Sequence, residues 1–398
     1  MSPTSYMNPF RPGAGHMPPY LAGRREETKE FLRLLEQDVV LENLVLTGLR
    51  GVGKTVLLEA FKPRAIEGRW LWVGTDLAEA ASLSEDRICL RLLADLAVVT
   101  SSIVIDRRET RPAGFHRGRA IETRLTFEVL SGVFGGTPGL AVDKLKAVLE
   151  LVWSCLQRRG ARGVIFAYDE AQNLSDHAAK DQFPLSLLLD CFQSLQRRGV
   201  PNLLLMAGLP PLFAKLVQAR TFAERMFRVV TLDRLDDHDC RDAILKPLLE
   251  TRNRARFSRA VIEQVIVASG GYPYFVQFIC RELYDAHLQR RPRSAAVPID
   301  DILRKLDTDF FAGRWARATD RQRELLTVIA HVEGSDKEFT VQDVARKSAE
   351  LLSRRFSPSH VSQIFGNLVN AGLLYKNRHG KYAFAVPLLG RFVLRQPA

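Results

Sequence analysis

Residues 43–55 constrain the fold more than any other stretch. Asn43-Leu44-Val45-Leu46-Thr47 reads as a buried strand. It runs straight into Gly48-Leu49-Arg50-Gly51-Val52-Gly53-Lys54-Thr55, which fits the spacing G-x4-G-K-[ST] in full. A helix is predicted from near Lys54. Strand, glycine turn and helix in this order build a cradle for phosphate. The glycines let backbone N–H groups turn inward, and the helix N-terminus adds the positive end of its dipole. Lys54 reaches the β- and γ-phosphates, and the Thr55 hydroxyl ligates magnesium. Gly48, Gly51, Val52, Gly53, Lys54, Thr55 and Val56 are therefore candidate nucleotide ligands, with ATP and Mg2+ as the bound species. A chance match in a glycine-rich turn is the competing explanation, and the correct flanks on both sides argue against it.

A second signal is Gly163-Val164-Ile165-Phe166-Ala167-Tyr168-Asp169-Glu170, an apolar strand that ends in two carboxylates. Asp169 is the candidate for holding magnesium, through water, and Glu170 the candidate general base. Taken alone, such a pair often caps a helix. Following the glycine loop in the same chain, it becomes a strong signal. Trp70–Val73 and Leu203–Met206 are further apolar strands, and helices alternate with them over 84–99, 141–159 and 184–198. That alternation predicts a parallel α/β sheet covered on both faces. Residues 101–140 read as less regular, with Gly135–Gly139 as a loop and six arginines between Arg107 and Arg124. The last strand of the four ends in Ala207-Gly208-Leu209-Pro210, with no polar side chain to orient a water. Gln172 or Asn173 is a substitute, although capping of a turn is the stronger reading of both. Arg225, with Arg228 second, is the candidate arginine that a neighbouring subunit supplies to the transferring phosphoryl group. An exposed, salt-bridging arginine is the competing explanation there.

With 57 basic and 45 acidic residues the chain carries a net charge of +12, which favours an anionic partner: nucleic acid, nucleotide or an acidic membrane surface. A merely solvated basic surface explains the same balance. Cysteines 89, 155, 191, 240 and 280 show no C-x-x-C spacing, and Cys155, Cys191 and Cys280, each in an apolar run, read as small buried hydrophobes in a reducing compartment. No clustered zinc ligands are apparent. No apolar run approaches the roughly 18 residues of a membrane span, and the polar, Pro-rich start does not read as a secretory signal. A cytoplasmic location without membrane contact is expected.

Beyond about residue 236 the pattern is helical: 238–249, 258–269, 274–290, a basic linker over Arg290–Pro298, then 300–314. Residues 318–398 predict helices and a hairpin. Ser357-Pro358 opens a helix on which Val361, Ile364, Phe365 and Leu368 make the core face. Ser359, Ser362, Gln363, Gly366 and Asn367 point the other way. Lys376, Arg378 and Lys381 cluster at the hairpin. From 317 onward, 13 basic against 7 acidic residues give +6.

Together these residues resemble the AAA+ ATPases over about residues 20–290, nearest to their initiator-like and STAND-like bacterial and archaeal branch. Pro19-Tyr20-Leu21-Ala22-Gly23-Arg24 is similar to the family's opening motif beside the adenine, which makes Tyr20 and Leu21 candidate nucleotide contacts. Ser269-Gly270-Gly271-Tyr272-Pro273-Tyr274 is similar to the G-x-P turn of the family's helical lid. There Pro273 would pack on the base, where many relatives place an arginine on phosphate. The resemblance implies an arm over 1–23, a P-loop NTPase α/β core over 24–235, a lid and linker over 236–314 and a winged helix-turn-helix over 315–398. The implied activity is a slow, magnesium-dependent ATPase switch that forms a homo-oligomer and engages double-stranded DNA through the winged helix. The alternative is a STAND-like signalling or defence ATPase whose winged helix binds a protein partner.

Overall fold

The structure, a computed structural model, describes residues 8–13, 15–109, 120–250, 256–289 and 299–396. Most of the arginine-rich stretch after Arg107, the basic linker Arg290–Pro298 and the first residues of the amino-terminal arm fall outside them. The chain divides into two compact units: an α/β unit of Arg25–Thr47 and Leu57–Thr231, and a helical unit of Met1–Arg24, Gly48–Val56 and Leu232–Ala398.

The α/β unit begins with α1 (Arg25–Leu35) and β1 (Asn43–Thr47). After the glycine loop, α2 (Lys54–Glu67) starts in the helical unit and continues into this one. There follow β2 (Trp70–Asp76), α3 (Glu85–Thr100), β3 (Val104–Glu109), β4 (Ala120–Arg124), α4 (Phe127–Gly136), α5 (Ala141–Gln157), β5 (Gly163–Asp169), α6 (Pro184–Arg197), β6 (Asn202–Gly208), α7 (Leu212–Ala219), α8 (Ala223–Met226) and β7 (Phe227–Thr231). Five strands form one sheet in the order β2-β5-β6-β1-β7, and every pairing in it is parallel. β1, β5 and β6 are buried along their whole length, as strands covered on both faces must be. Their apolar side chains pack with α3, α5 and α6 in a core that includes Leu92, Leu149, Phe166, Phe192 and Met206.

Three elements differ from the sequence-based expectation. β7 forms a fifth strand over a stretch in which only the candidate Arg228 stands out. Its burial alternates because it lies at the sheet edge and pairs only with β1, so no continuous apolar run announces it. Within 101–140, β3 and β4 pair antiparallel. Gly135 and Gly136 close α4 and the loop starts one residue later, at the helix C-cap Thr137.

The helical unit continues with α9 (Asp237–Glu250), α10 (Arg259–Ser269), α11 (Pro273–Gln289) and α12 (Ile299–Leu306). α12 runs without a break through a wide π-helical turn, Asp307–Phe311, into α13 (Ala312–Ala316). The wide turn carries two adjacent rings that both pack on Phe275 and differ in their other neighbours. Phe310 lies 5.1 Å from Tyr274 and Phe311 lies 5.0 Å from Phe392. The chain ends with α14 (Asp320–Ala330), α15 (Val341–Leu351), α16 (Pro358–Asn370), the antiparallel hairpin β8 (Leu374–Arg378) and β9 (Lys381–Phe384), and α17 (Leu389–Arg395). Thr319 and Thr340 head capping boxes on α14 and α15, and Ser357 caps α16. No helix among the described residues is long and apolar enough to cross a membrane.

One polar cluster is buried at the amino edge of the sheet. Asn43, with no exposed surface, accepts from the Leu204 N–H (2.7 Å) and from Gln196 Nε2 (2.8 Å), and donates to Met226 O (3.2 Å). It thereby ties β1 to β6 and to the start of β7. Asn43→Ala would strand buried partners, each worth about 1–3 kcal/mol unpaired. Urea denaturation is expected to show a loss of about 3 kcal/mol, and a loss below about 1 kcal/mol would contradict this account.

Candidate nucleotide site

In the helical unit the glycine loop has the geometry the motif requires. Gly51 and Gly53 take φ of 78° and 93°, left-handed values that side chains rarely adopt. A Cβ at Gly53 would meet nothing within 4 Å. Lys54, 9% exposed, donates from Nζ to Gly48 O (2.9 Å) and Leu49 O (3.0 Å), and it opens α2. An ammonium, a helix N-terminus and open glycine backbone form a donor set that suits a polyphosphate. Thr55 and Val56 follow on the first turn of α2, half-buried.

Two other segments brace this loop. The buried Arg24 donates from Nη2 to Val52 O (3.0 Å) and to Asp233 O (2.7 Å). Arg24 thus links the opening segment to the loop, a role that sequence reading missed, although the residue closes the quoted Pro19–Arg24 motif. Tyr20, in the same segment, accepts from Lys246 Nζ at 2.7 Å, and the ammonium lies 4.1 Å from its ring centre. Leu21 is half-buried. On the other side, Pro273 occupies the first position of α11, where a missing N–H costs nothing. The next residue, Tyr274, donates its backbone N–H to Gly51 O at 3.1 Å. The loop residues, Arg24 and the lid turn are thus brought together. Asp236, His238 and Asp239 also converge, with ligand atoms within 4.8 Å of one another. This grouping at the start of α9 was not apparent from the sequence, and Asp236 there accepts the Asp239 N–H as a cap.

In the α/β unit the carboxyl edge of the sheet gathers acids. Asp169, 5% exposed, ends β5 in register with Asp76 at the end of β2. Asp76 was not singled out because the apolar run of β2 stops at Val73. Although Asp76 is exposed at the strand end, partial desolvation, and then the charges of Asp169, Glu170 and Glu59, hold its carboxyl above the usual range. Carboxylates that repel one another are a fitting place for a divalent cation. Glu170 is exposed and takes a left-handed backbone, φ 50° and ψ 33°. Of the two candidate arginines, Arg228 is ion-paired with Glu30. Arg225 is exposed on α8, with no partner among the described residues.

The carboxy-terminal helices and hairpin follow winged-helix order. On α16, Val361, Ile364, Phe365 and Leu368 are buried, while Ser359, Ser362, Gln363, Gly366 and Asn367 are exposed. Arg354 and Arg355, just before this helix, are exposed as well. In the hairpin, Arg378 is bound to Glu338 at 2.8 Å; Lys376 and Lys381 form no ion pair among the described residues, although the charge of Lys381 acts on Glu338 and Asp343.

Residues 20–206 match the family described as AAA ATPase domain, and residues 308–393 match a domain of unknown function (DUF8462). No curated protein matches the chain. Among solved structures, the fold is similar to a Walker-type ATPase of Pyrococcus abyssi. The TM-score is 0.59 at 15% identity, over 94% of this chain and 96% of that one. It is also similar to the ADP form of the ORC2 protein of Aeropyrum pernix, with a TM-score of 0.55 at 13% identity over 96% and 95%. The same protein in its ADPNP-ADP complexes gives 0.54 at 12% identity, over 96% of each chain. At such identities the likeness is one of fold.

The raised Asp76 carboxyl has a definite effect on stability. Below its ordinary value of 3.8 both folded and unfolded chains hold the proton. As pH rises past that value the unfolded chain releases it first, so folding stability falls. Asp76→Asn should remove this loss. Without added metal, the variant is expected to melt higher than the parent at neutral pH, with the gap closing in acid. Equal melting temperatures at all pH values would refute this account of Asp76.

Proposed function

We propose, from an AAA ATPase domain at residues 20–206, that this chain is an ATP-binding and slowly hydrolysing switch that reports its nucleotide state through the carboxy-terminal winged helix. In this reading Gly48 to Val56 cradle the phosphates, with Lys54 on the terminal ones, and Tyr20, Leu21 and Pro273 contact the base. Thr55 and Asp169 are the magnesium ligands. Bound magnesium supplies charge neutralisation for the phosphoryl oxygens. Glu170 takes the proton of the attacking water. Arg225 acts from a neighbouring copy, and its exposure, against the ion pair of Arg228, supports that choice. A core over 24–235, a lid over 236–314 and a winged helix over 315–398 remain the proposed functional division.

The observation that carries the switch is the position of Arg50. It sits inside the glycine loop, yet a Cβ on Gly372, in the turn between α16 and β8, would lie 3.9 Å from its Nη2. Arg50 also helps push the half-buried guanidinium of Arg314 below its usual value, behind the larger effect of burial. The loop assigned to phosphate therefore also meets the turn at the end of α16, whose polar face is exposed. A basic module with a polar helix face and hairpin lysines outside any ion pair suits contact with duplex DNA.

Lys54→Ala is expected to abolish tight ATP binding, read by fluorescent-nucleotide titration. Mixing it with Arg225→Ala protein should restore part of the turnover, since one composite site then holds both groups. Unchanged affinity would sink the loop assignment, and no rescue at any ratio would sink the arginine in trans.

For DNA, replacing Lys376 and Lys381 by alanine should flatten the salt slope of log affinity by about 1.8, at roughly 0.9 per phosphate contact. Arg50→Ala should leave ATP bound but erase any difference in DNA affinity between ATP-loaded and nucleotide-free protein. An unaltered slope would move the reading to a protein partner on the same module.

A further inference from the structure

We infer that Gln172 is a positioning residue for Glu170, and that it supplies from the segment after β5 the polar group that Gly208 at the end of β6 cannot carry. The inference deepens the ATPase reading and rests on Glu170 as the base.

The argument starts from Glu170 itself. Its carboxylate sits on an exposed residue with a left-handed backbone. Such a conformation costs free energy in a non-glycine residue and persists where the surroundings impose it. A long, exposed side chain also has several rotamers to choose from. Something must select one if it is to meet a particular water. Gln172 Nε2 donates to Glu170 Oε2. The orientation of the Gln172 amide follows from its other partner. Its Oε1 accepts from the Leu209 N–H at 3.1 Å, and a backbone N–H can only donate, so the NH2 must face Glu170.

Gln172 is in turn held from behind. Lys215 Nζ donates to its backbone carbonyl at 2.6 Å, and burial pulls this lysine below its ordinary value. The residue is therefore held at its backbone by α7 and at its side-chain amide by the residue after β6, two places outside its own turn. Asn173, its neighbour, is occupied elsewhere, donating from Nδ2 to Leu77 O at 2.8 Å. This separates two residues that sequence alone left equivalent. A mere turn cap would need the bond to Leu209 but not the one to Glu170.

Gly208 completes the case. A Cβ there would lie 2.7 Å from Gln172 Oε1 and 2.8 Å from Leu212 Cδ2. The amide of Gln172 occupies the volume into which a side chain at 208 would project. The missing side chain at the end of β6 and the glutamine after β5 are two halves of one arrangement.

The test uses the full chain and steady-state ATP hydrolysis, with nucleotide affinity and melting temperature measured in parallel. Gln172→Glu keeps the length but sets carboxylate against carboxylate, and Gln172→Ala removes the donor. Both should lower kcat by about 10–100-fold, the range for losing an outer-shell partner of a working group, with ATP affinity and melting temperature near the parent. Gly208→Asn alone should also be slow, because its side chain displaces Gln172. Combined with Gln172→Ala it should recover part of the rate by presenting an amide from the strand. Glu170→Gln is the control for the underlying reading. If it turns over normally, the base assignment fails and this inference with it. If Glu170→Gln is inactive while both Gln172 variants match the parent, the inference alone is overturned. Loss of melting temperature or ATP affinity in step with kcat would also overturn it, as would a double variant no faster than Gln172→Ala.

Discussion

A strand joined to a parallel neighbour cannot turn back through a tight hairpin; it needs a crossover that returns the chain to the opposite end. All pairings in the five-stranded sheet are parallel, so every strand delivers its last residue to the same edge. The registers make this concrete. Thr47 lies opposite Gly208, and Asp76 lies opposite Asp169. The residue before the glycine loop, the glycine beneath Gln172 and two of the acids are therefore products of one topological rule. Only short segments after each strand are left to carry chemistry. The acids at 169–170 and the amide at 172 lie just after one strand end, and Leu209 lies just after another.

The helical unit solves a different problem. A glycine loop has the freedom to wrap phosphate because it lacks side chains, and for the same reason it cannot hold itself in place. Its carbonyls are used as anchors instead. Val52 O takes the guanidinium of Arg24, Gly51 O takes the Tyr274 N–H, and Gly48 O and Leu49 O take Lys54. Each anchor comes from a different segment. The loop is thus a junction of the opening segment, the lid turn and its own helix, and Arg50 extends that junction to Gly372.

What the sequence disclosed followed from how many sides of an element are buried. β1, β5 and β6 are covered on both faces, so they stand out as apolar runs, and the loop and Asp169-Glu170 follow from where those runs end. β7 is an edge strand whose alternating Phe227–Thr231 burial gives no such run, and Asp76 was missed because β2 continues past its apolar part into Gly74-Thr75-Asp76. Arg24 and Gln172 depended on long-range partners, Val52 in one case and Leu209 and Lys215 in the other, which no local pattern encodes. On α16, by contrast, one helical face is buried and the other is not, and the period of its apolar residues settled both.

The π-helical turn at Asp307–Phe311 also sets a rotational phase. An α-helix advances about 100° per residue, and a π turn accommodates one more residue than an α turn would. Because the wide turn absorbs that extra residue, α12 and α13 keep nearly the rotational phase of one continuous α-helix. Removal of one residue from the turn would restore regular α geometry and leave the flanking segments close to their present faces, whereas removal from a regular turn would rotate everything beyond it by about 100°. Within this long helix the wide turn is therefore the one stretch where a change of length is absorbed locally, and what such a change would disturb is the ring set of Phe310 and Phe311.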